Sequence, residues 1–252
     1  MPELRQDPLV GRWFIIATER TRRPNEFTDH QNHVSEPAIN PFAPGNENLT
    51  PPEIFAIREP GSKPNTPGWK VRVIPNKFPA LRIEGALEKE GDGIYDRMSG
   101  IGAHEVIIET PRHDCQLEEQ TLDGVASVVE TYRRRMEDLL KDMRFRYILV
   151  FKNFGREAGA TISHPHSQII ATPVTPTAIK QKLTGAQTYF ERKERSIFSD
   201  ILKQELRDAR RLVYQNASFV CFCPYASRFP FELCIMPRRQ SPDFCRIESV
   251  EV

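Results

Sequence analysis

The sequence lacks the features that would place it at a membrane or on nucleic acid. It has no apolar run long enough to cross a bilayer, and its start, MPELRQDPLVGRWF, contains no apolar signal core. A formal net charge of +1 gives no global field that would attract nucleic acid or an anionic membrane. Five cysteines, an odd number without disulfide-framework spacing, favour a reducing compartment. We therefore expect a cytoplasmic protein that binds neither nucleic acid nor membranes.

Hydrophobic patterning predicts an α+β chain with a sizeable core. The first 80 residues hold 13 of the 21 prolines, which predicts mostly irregular structure apart from short strands. The clearest helix is predicted over 117–142, and a charged helical stretch over roughly 178–212. Apolar runs bounded by proline and glycine predict strands at 12–16, near 71–75, and at 103–111, 146–153 and 164–173.

A weak internal repeat divides the chain. VRVIPNKFPA and HEVIIETPRHD, within 71–114, are echoed by FVCFCPYASRFPFELCIMPRRQSPDF at 219–244. Both copies predict a strand, a proline-containing turn, a second strand and then a short segment that leaves the sheet. We expect an N-terminal domain over 1–172 and an incomplete second repeat over 173–252, whose strand FELCIMP would leave an exposed edge that pairs with another chain.

The stretch TISHPHSQII, residues 161–170, sets two of the six histidines one proline apart. Side chains alternate along a strand, so His164, His166 and Gln168 would share one face. Pro165 cannot donate to a ladder, which indicates a strand start or an edge strand. An imidazole can attack phosphorus and leave again, and a glutamine amide can hydrogen-bond a phosphoryl oxygen.

The loop before this strand, NFGREAGAT, carries Gly155 and Gly159. Glycines let consecutive backbone N–H groups turn inward, and such a nest holds phosphate oxygens. A polar hairpin edge with a structural glycine turn is the alternative. Because the loop runs directly into His-Pro-His-Ser-Gln, we favour a phosphoryl-transfer site.

These residues resemble the galactose-1-phosphate uridylyltransferase family, the transferase branch of the histidine-triad superfamily. The resemblance runs through RTRRP, PFAPGNE, VRVIPNKFPAL, HEVIIETPRHD, NFGREAGATISHPHSQI and PYASRFPFELCIMPRR. It implies a duplicated histidine-triad-like fold of mostly antiparallel sheet with packed helices. It also implies UMP transfer from UDP-glucose to galactose 1-phosphate through a covalent uridylyl-histidine, often in a homodimer.

The resemblance assigns roles to particular residues. It makes His166 the nucleophile and Gln168 the group that stabilises the phosphoryl intermediate. The residues implied to contact nucleotide or phosphate are Arg20, Arg23, Asn76, Phe78, Asn153, Gly159 and Thr161. The resemblance implies no role for His104, and we expect it to be a partly buried structural histidine.

The zinc site found in many members of the family is only partly present. His113 and His164 match its two histidines, but Asn40 and Ala43 stand where its cysteines would be. Two imidazoles without thiolates make a poor tetrahedral site, so we expect little zinc and local hydrogen bonds instead.

Two alternatives remain open at this point. The same nucleophile could serve a phosphorylase that cleaves a nucleotide sugar of the ADP-glucose type, or a dinucleoside polyphosphate, with inorganic phosphate. A nucleotide-binding relative without turnover belongs to another class. The intact His-Pro-His-Ser-Gln opposes that last reading.

Overall fold

A computed structural model describes residues 2–18, 20, 39–155 and 157–247 of the chain. The chain forms two compact units, Met1–Pro176 and Thr177–Val252. The boundary between them in the sequence falls a few residues after the predicted one at 172. The strands are β1 Glu3–Gln6, β2 Trp13–Ile16, β3 Phe55–Arg58, β4 Trp69–Pro75, β5 Lys89–Asp92, β6 Tyr95–Ser99, β7 Ala103–Ile108, β8 Tyr147–Phe151, β9 His166–Thr172, β10 Leu212–Gln215, β11 Phe219–Phe222 and β12 Cys234–Pro237. The α-helices are α1 Leu122–Leu139, α2 Thr177–Lys193 and α3 Ile197–Asp208.

A five-stranded sheet forms the centre of the first unit, with strand order β3-β4-β7-β9-β8. Each neighbouring pair is antiparallel. In β7 all six residues are buried, including the β-branched run Val106–Ile108, so this strand is covered on both faces. The sheet therefore has two buried faces, and the histidine strand β9 lies inside it rather than at an edge.

Helix α1 covers one face of this sheet. Its Val128 and Leu139 join a buried cluster with Val73, Ile107 and Ile169 from three neighbouring strands. On the opposite face Phe42 and Trp69 pack with further residues of β4 and β7. That opposite face carries the candidate site.

The predicted helix over 117–142 is shorter in the structure. A 3-10 turn occupies Leu117–Glu119, and Thr121 caps α1 with its side chain, which accepts a hydrogen bond from the amide of Gly124. Leu122 and Leu140, two apolar residues of the predicted stretch, are exposed. At about 100° per residue, each lies about 120° from Val128, off the apolar face.

The expectation of mostly irregular structure with short strands in the first 80 residues is confirmed for the part that the structure describes. Strands β1 to β4 lie there, and β1 and β2 join β6 and β5 in a four-stranded antiparallel sheet of order β2-β1-β6-β5. Leu4 from β1 and Met98 from β6 are buried against Leu81. Three of these four short strands, β1, β5 and β6, are rich in charged residues, and each is stabilised by pairing with its neighbour.

The second unit contains two helices and the three-stranded sheet β10-β11-β12. The predicted helical stretch 178–212 divides into α2 and α3, because Glu194 takes a left-handed conformation and Ser196 is extended. Leu202 of α3 packs on Val220 and Phe222 of β11. Strand β12 lies at the edge of this sheet.

Within the described ranges, no helix has the length and apolarity needed to cross a membrane.

Candidate active site

The candidate site begins where β9 begins. His166 is the first residue of the strand, and the carbonyl of Pro165 accepts a hydrogen bond from the amide of Glu109. Proline fits there because a strand start needs no ladder donor. His166 and Gln168 share the face opposite α1, since alternate residues of a strand point the same way. His164 precedes the strand, so strand alternation does not set its orientation.

The ring of His166 is held by the backbone and by an aromatic neighbour. Its Nδ1 lies 2.7 Å from the carbonyl oxygen of His164. A carbonyl only accepts, so Nδ1 carries the proton and Nε2 carries the lone pair that a nucleophile needs. The Phe42 ring packs edge-on at 5.4 Å between centroids.

Gln168 has its carbonyl oxygen engaged by two neighbouring elements. Its Oε1 lies 2.9 Å from Nε2 of His104, in β7, and 3.4 Å from Nδ2 of Asn76, just after β4. Side chains from β9, from β7 and from the turn after β4 therefore meet at this amide.

The loop from Asn153 to Thr161 uses both of its glycines at positions that favour glycine. Gly155 and Gly159 have φ of 77° and 81°, in the left-handed region where a Cβ is disfavoured. The amide of Ala160 donates to the carbonyl of Gly155 over 3.1 Å and closes the turn. This is the kind of backbone that can form an anion nest.

A cavity of about 150 Å³ gathers most of the predicted nucleotide-binding residues. The predicted residues that line it are His166, Gln168, Asn76, Phe78, Gly159 and Thr161. Apolar walls come from Phe42, Ile74 and Ile162. An apolar slot with a few polar groups suits a nucleobase and its phosphates.

A second cavity, of about 380 Å³, shares His166, Ala160 and Ile162 with the first. The predicted residues Asn153, His113 and His164 line this second cavity. The imidazole of His166 thus borders two adjoining spaces.

Lys152 also lines the second cavity and belongs to a polar network that the sequence did not reveal. Its Nζ lies 2.5 Å from the carboxylate of Glu109, whose side chain is fully buried. Tyr132 of α1 donates to Ser167, beside the nucleophile, at 2.8 Å. Burial, together with the nearby Glu109 carboxylate, raises the pKa of Tyr132 well above its ordinary value. The tyrosine therefore stays a neutral donor.

The residues at the place of the family's zinc site do not fit zinc. Nε2 of His164 lies 2.8 Å from the carbonyl oxygen of Thr110, and Nδ1 lies 2.9 Å from Nδ2 of Asn40. Both ring nitrogens are therefore hydrogen-bonded, and no thiolate stands at Asn40 or Ala43. We call this contact the Asn40–His164 clamp. His113 is exposed.

The predicted arginine pair is only partly described. Arg20 follows β2, and its amide donates to the carbonyl of Ala17 at 3.1 Å. It does not line either of the two cavities at His166. Arg23 lies outside the described residues.

Sequence reasoning missed Phe42 and underrated His104, both of which touch the site. Phe42 lies within the stretch PFAPGNE, which carries part of the family resemblance but no local sign of a contact with the histidines. Trp69 donates to Glu47 at 2.8 Å and anchors this loop on β4. The sequence signal for this loop was Glu47, an acidic residue two positions after Pro44-Gly45.

Fold and site together define a histidine-based nucleotidyltransferase of mixed, mostly antiparallel architecture. The family model described as "Galactose-1-phosphate uridyl transferase, N-terminal domain" matches residues 1–176. The chain belongs to the galactose-1-phosphate uridyl transferase family.

Curated relatives extend over nearly the whole chain. An ADP-glucose phosphorylase of Arabidopsis thaliana is 35% identical over 254 residues, which cover 99% of this chain and 70% of the relative. A galactose-1-phosphate uridylyltransferase of Thermotoga maritima is 28% identical over 240 residues, covering 95% and 67%. The chain thus spans about two thirds of these relatives' length.

Solved structures share the fold. A uridylyltransferase structure aligns with a TM-score of 0.78 at 24% identity, over 99% of this chain and 70% of the other. The crystal structure of the Arabidopsis thaliana ADP-glucose phosphorylase with bound ADP-glucose aligns with a TM-score of 0.69 at 32% identity, over 100% and 72%.

Proposed function

We propose that this enzyme moves UMP from UDP-glucose to galactose 1-phosphate through a covalent uridylyl-histidine at His166. One observation carries the proposal. The imidazole of His166 and the amide of Gln168 border the same cavity as the glycine loop, in a chain of the uridyl transferase family.

The reaction proceeds by two displacements at the α-phosphorus. Nε2 of His166 attacks and forms an N–P bond, while the bond from phosphorus to the bridging oxygen breaks and glucose 1-phosphate leaves with the electron pair. A phosphate oxygen of galactose 1-phosphate then attacks the same phosphorus, the N–P bond breaks, and UDP-galactose forms. The amide of Gln168 donates to the charged oxygens of the transferred group.

The other cavity residues take binding roles. Phe78 packs against the base, and Asn76 contacts the edge of the base. Gly159 and Thr161 contact the phosphates, and Asn153 approaches them from the second cavity. Arg20 and Arg23 are proposed for the outer phosphates, where guanidinium forks suit phosphate oxygens.

A second candidate is an ADP-glucose phosphorylase. The relative with that name is 35% identical to this chain, against 28% for the Thermotoga maritima uridylyltransferase. In this version His166 receives AMP, glucose 1-phosphate leaves, and inorganic phosphate attacks to give ADP. The geometry at His166 and Gln168 serves both reactions, because both form the same N–P bond.

One labelling experiment separates the candidates. The protein is incubated with UDP-glucose or ADP-glucose labelled at the α-phosphorus, and acid-labile label on protein is measured. Labelled enzyme is then chased with galactose 1-phosphate or inorganic phosphate. Uridylyl label released by galactose 1-phosphate supports the leading proposal. Adenylyl label released by phosphate supports the second, and absence of label from both donors overturns both.

We also propose that the second unit repeats the histidine-triad-like strand pattern and that the enzyme forms a homodimer. β11 and β12 pair antiparallel, as β4 and β7 do, and they carry the echoed motifs. Ile235 of the edge strand β12 is 68% exposed, which supports pairing with a second copy. Sedimentation tests this proposal, and a strict monomer would contradict it.

A reducing compartment such as the cytoplasm suits the cysteines. All five are free thiols, Cys115, Cys221, Cys223, Cys234 and Cys245. No zinc is required at His164 in the proposed reaction, because both of its ring nitrogens are hydrogen-bonded.

A further inference from the structure

His104 has a ring orientation and proton position set by the backbone. It is 5% exposed, and its Nδ1 lies 2.9 Å from the amide nitrogen of Ala80. A backbone amide can only donate, so Nδ1 must be the acceptor. The neutral ring therefore carries its proton on Nε2.

That proton fixes the amide of Gln168. Nε2–H of His104 points at Oε1 of Gln168 over 2.9 Å. A flipped amide would set its NH₂ against this N–H, donor against donor. Asn76 supports the same orientation, because its Nδ2 lies 3.4 Å from Oε1. The 3.2 Å approach of Asn76 Nδ2 to His104 Nε2 joins two donors and is no hydrogen bond.

The orientation decides which end of Gln168 a ligand meets. Within the described ranges, no residue accepts a hydrogen bond from Nε2 of Gln168. Phosphoryl oxygens only accept hydrogen bonds, so they need this NH₂ and are repelled by the carbonyl end. The amide must therefore be held with its oxygen turned away from the transferred group.

We propose that His104 is a positioning residue that holds the amide of Gln168 as a donor to the transferred phosphoryl group. This inference rests on the proposed function. A histidine read from the sequence as structural thus sets the polarity of the group next to the nucleophile. Its backbone partner Ala80 lies outside β4 and β7, so the turn after β4 takes part in this control.

Two substitutions separate positioning from packing. The oxygen of His104→Asn can still accept from the amide of Ala80, but its side chain ends short of Gln168. The longer amide of His104→Gln can place an N–H where Nε2 was and restore the donor. We expect single-turnover nucleotidylation by UDP-glucose or ADP-glucose to fall roughly 10- to 100-fold in His104→Asn, with little change in the half-saturating concentration. His104→Gln should recover to within about tenfold of wild type.

A double-mutant cycle provides the sharper readout. In a Gln168→Ala background, His104→Asn should cause no further loss of rate, because the amide that it orients is gone. Thermal unfolding of each variant checks folding. Nitrogen-15 NMR of histidine-labelled wild type, assigned by comparison with His104→Gln, reads the tautomer without relying on His104→Asn.

The outcomes are distinct. If wild type takes no label from either donor, the proposed function fails. If wild type is labelled but His104→Asn labels at the same rate, the inference is overturned. Additive losses in the cycle, or a proton on Nδ1, also overturn it. The inference is supported if His104→Asn is labelled more slowly than wild type, if His104→Gln restores the rate, and if His104→Asn causes no further loss in the Gln168→Ala background.

Discussion

Nδ2 of Asn40 lies 2.9 Å from Nδ1 of His164, across 124 residues of sequence. Oδ1 of Asn40 accepts from the amide of Phe42 at 3.0 Å, which fixes the amide with its NH₂ toward the imidazole. The clamp thereby joins the loop that carries Phe42 to the residue just before the nucleophile strand. An amide and an imidazole stand where the family's zinc would be bound.

We predict that chelation leaves the enzyme intact. Protein dialysed against EDTA should keep its melting temperature and its rate of nucleotidylation, since no ring nitrogen of His164 is left for a metal. Elemental analysis should find well below one zinc per chain. One tightly held zinc, lost together with stability on mutating His113, would refute the assignment.

Asn40→Ala should loosen the loop. Loss of the amide leaves a buried ring nitrogen without its donor, which costs about 1–3 kcal/mol of unfolding free energy. Labelling should slow as well, because Phe42 packs against His166. The control is Asn48→Ala, at an exposed position on the same loop. Equal unfolding free energies of the two variants would show that the Asn40–His164 clamp does not contribute to stability.

The three histidines near the site should behave differently. His166→Ala should abolish nucleotide labelling while the protein stays folded, because no other nitrogen replaces the nucleophile. His164→Ala should slow labelling and lower the melting temperature by breaking the clamp. His113→Ala, at an exposed position, should change little. Labelling of His166→Ala at the wild-type rate would exclude the mechanism.

A buried ion pair ties α1 to the sheet. Arg135 grips Glu105 with two hydrogen bonds of 2.8 Å, and the two side chains are 8% and 6% exposed. Arg135→Met should lower the free energy of unfolding by about 3–5 kcal/mol, because it leaves the buried carboxylate of Glu105 without its partner. Arg97→Met breaks an exposed pair with Glu90 and should cost less than about 1 kcal/mol. Urea unfolding measures both.

Glu130 should make stability depend on acidity. Hydrogen bonds from Arg133, and then from Arg134, lower the pKa of Glu130 from 4.5 to about 2 in the folded state. A lowered pKa stabilises the fold above the unfolded value, and the contribution disappears as pH falls from 4.5 toward 2. The melting temperature of Glu130→Gln should therefore approach that of wild type as the solution is acidified. Parallel curves would contradict this.

The sequence predicted the central elements because their signals are local. The β-branched run of β7 and the alternation of His166 and Gln168 are visible within a few residues. The hairpin of β5 and β6 was missed because its residues are charged and exposed, although Asp92-Gly93 is a hairpin turn signal and Gly93 has φ of 61°. The charged composition of residues 89–99 does not predict strands, and the turn signal alone is too weak to predict the hairpin.

The rest of the site depends on contacts that no local pattern contains. His104 and Gln168 are separated by 64 residues and meet only because β7 and β9 are neighbours in the sheet. The Lys152–Glu109 pair depends in the same way on the sheet order. Such pairs follow from strand order, which a single sequence specifies only weakly.

The clamp also changes what the active-site loop depends on. Thiolates are lost to oxidation by peroxide and to competition for metal, whereas an amide–imidazole hydrogen bond is subject to neither. His164 is 1% exposed, so solvent barely reaches its ring. The loop that carries Phe42 is held at this point by a hydrogen bond that involves neither a metal nor a thiol, so we expect nucleotidyl transfer to depend on neither.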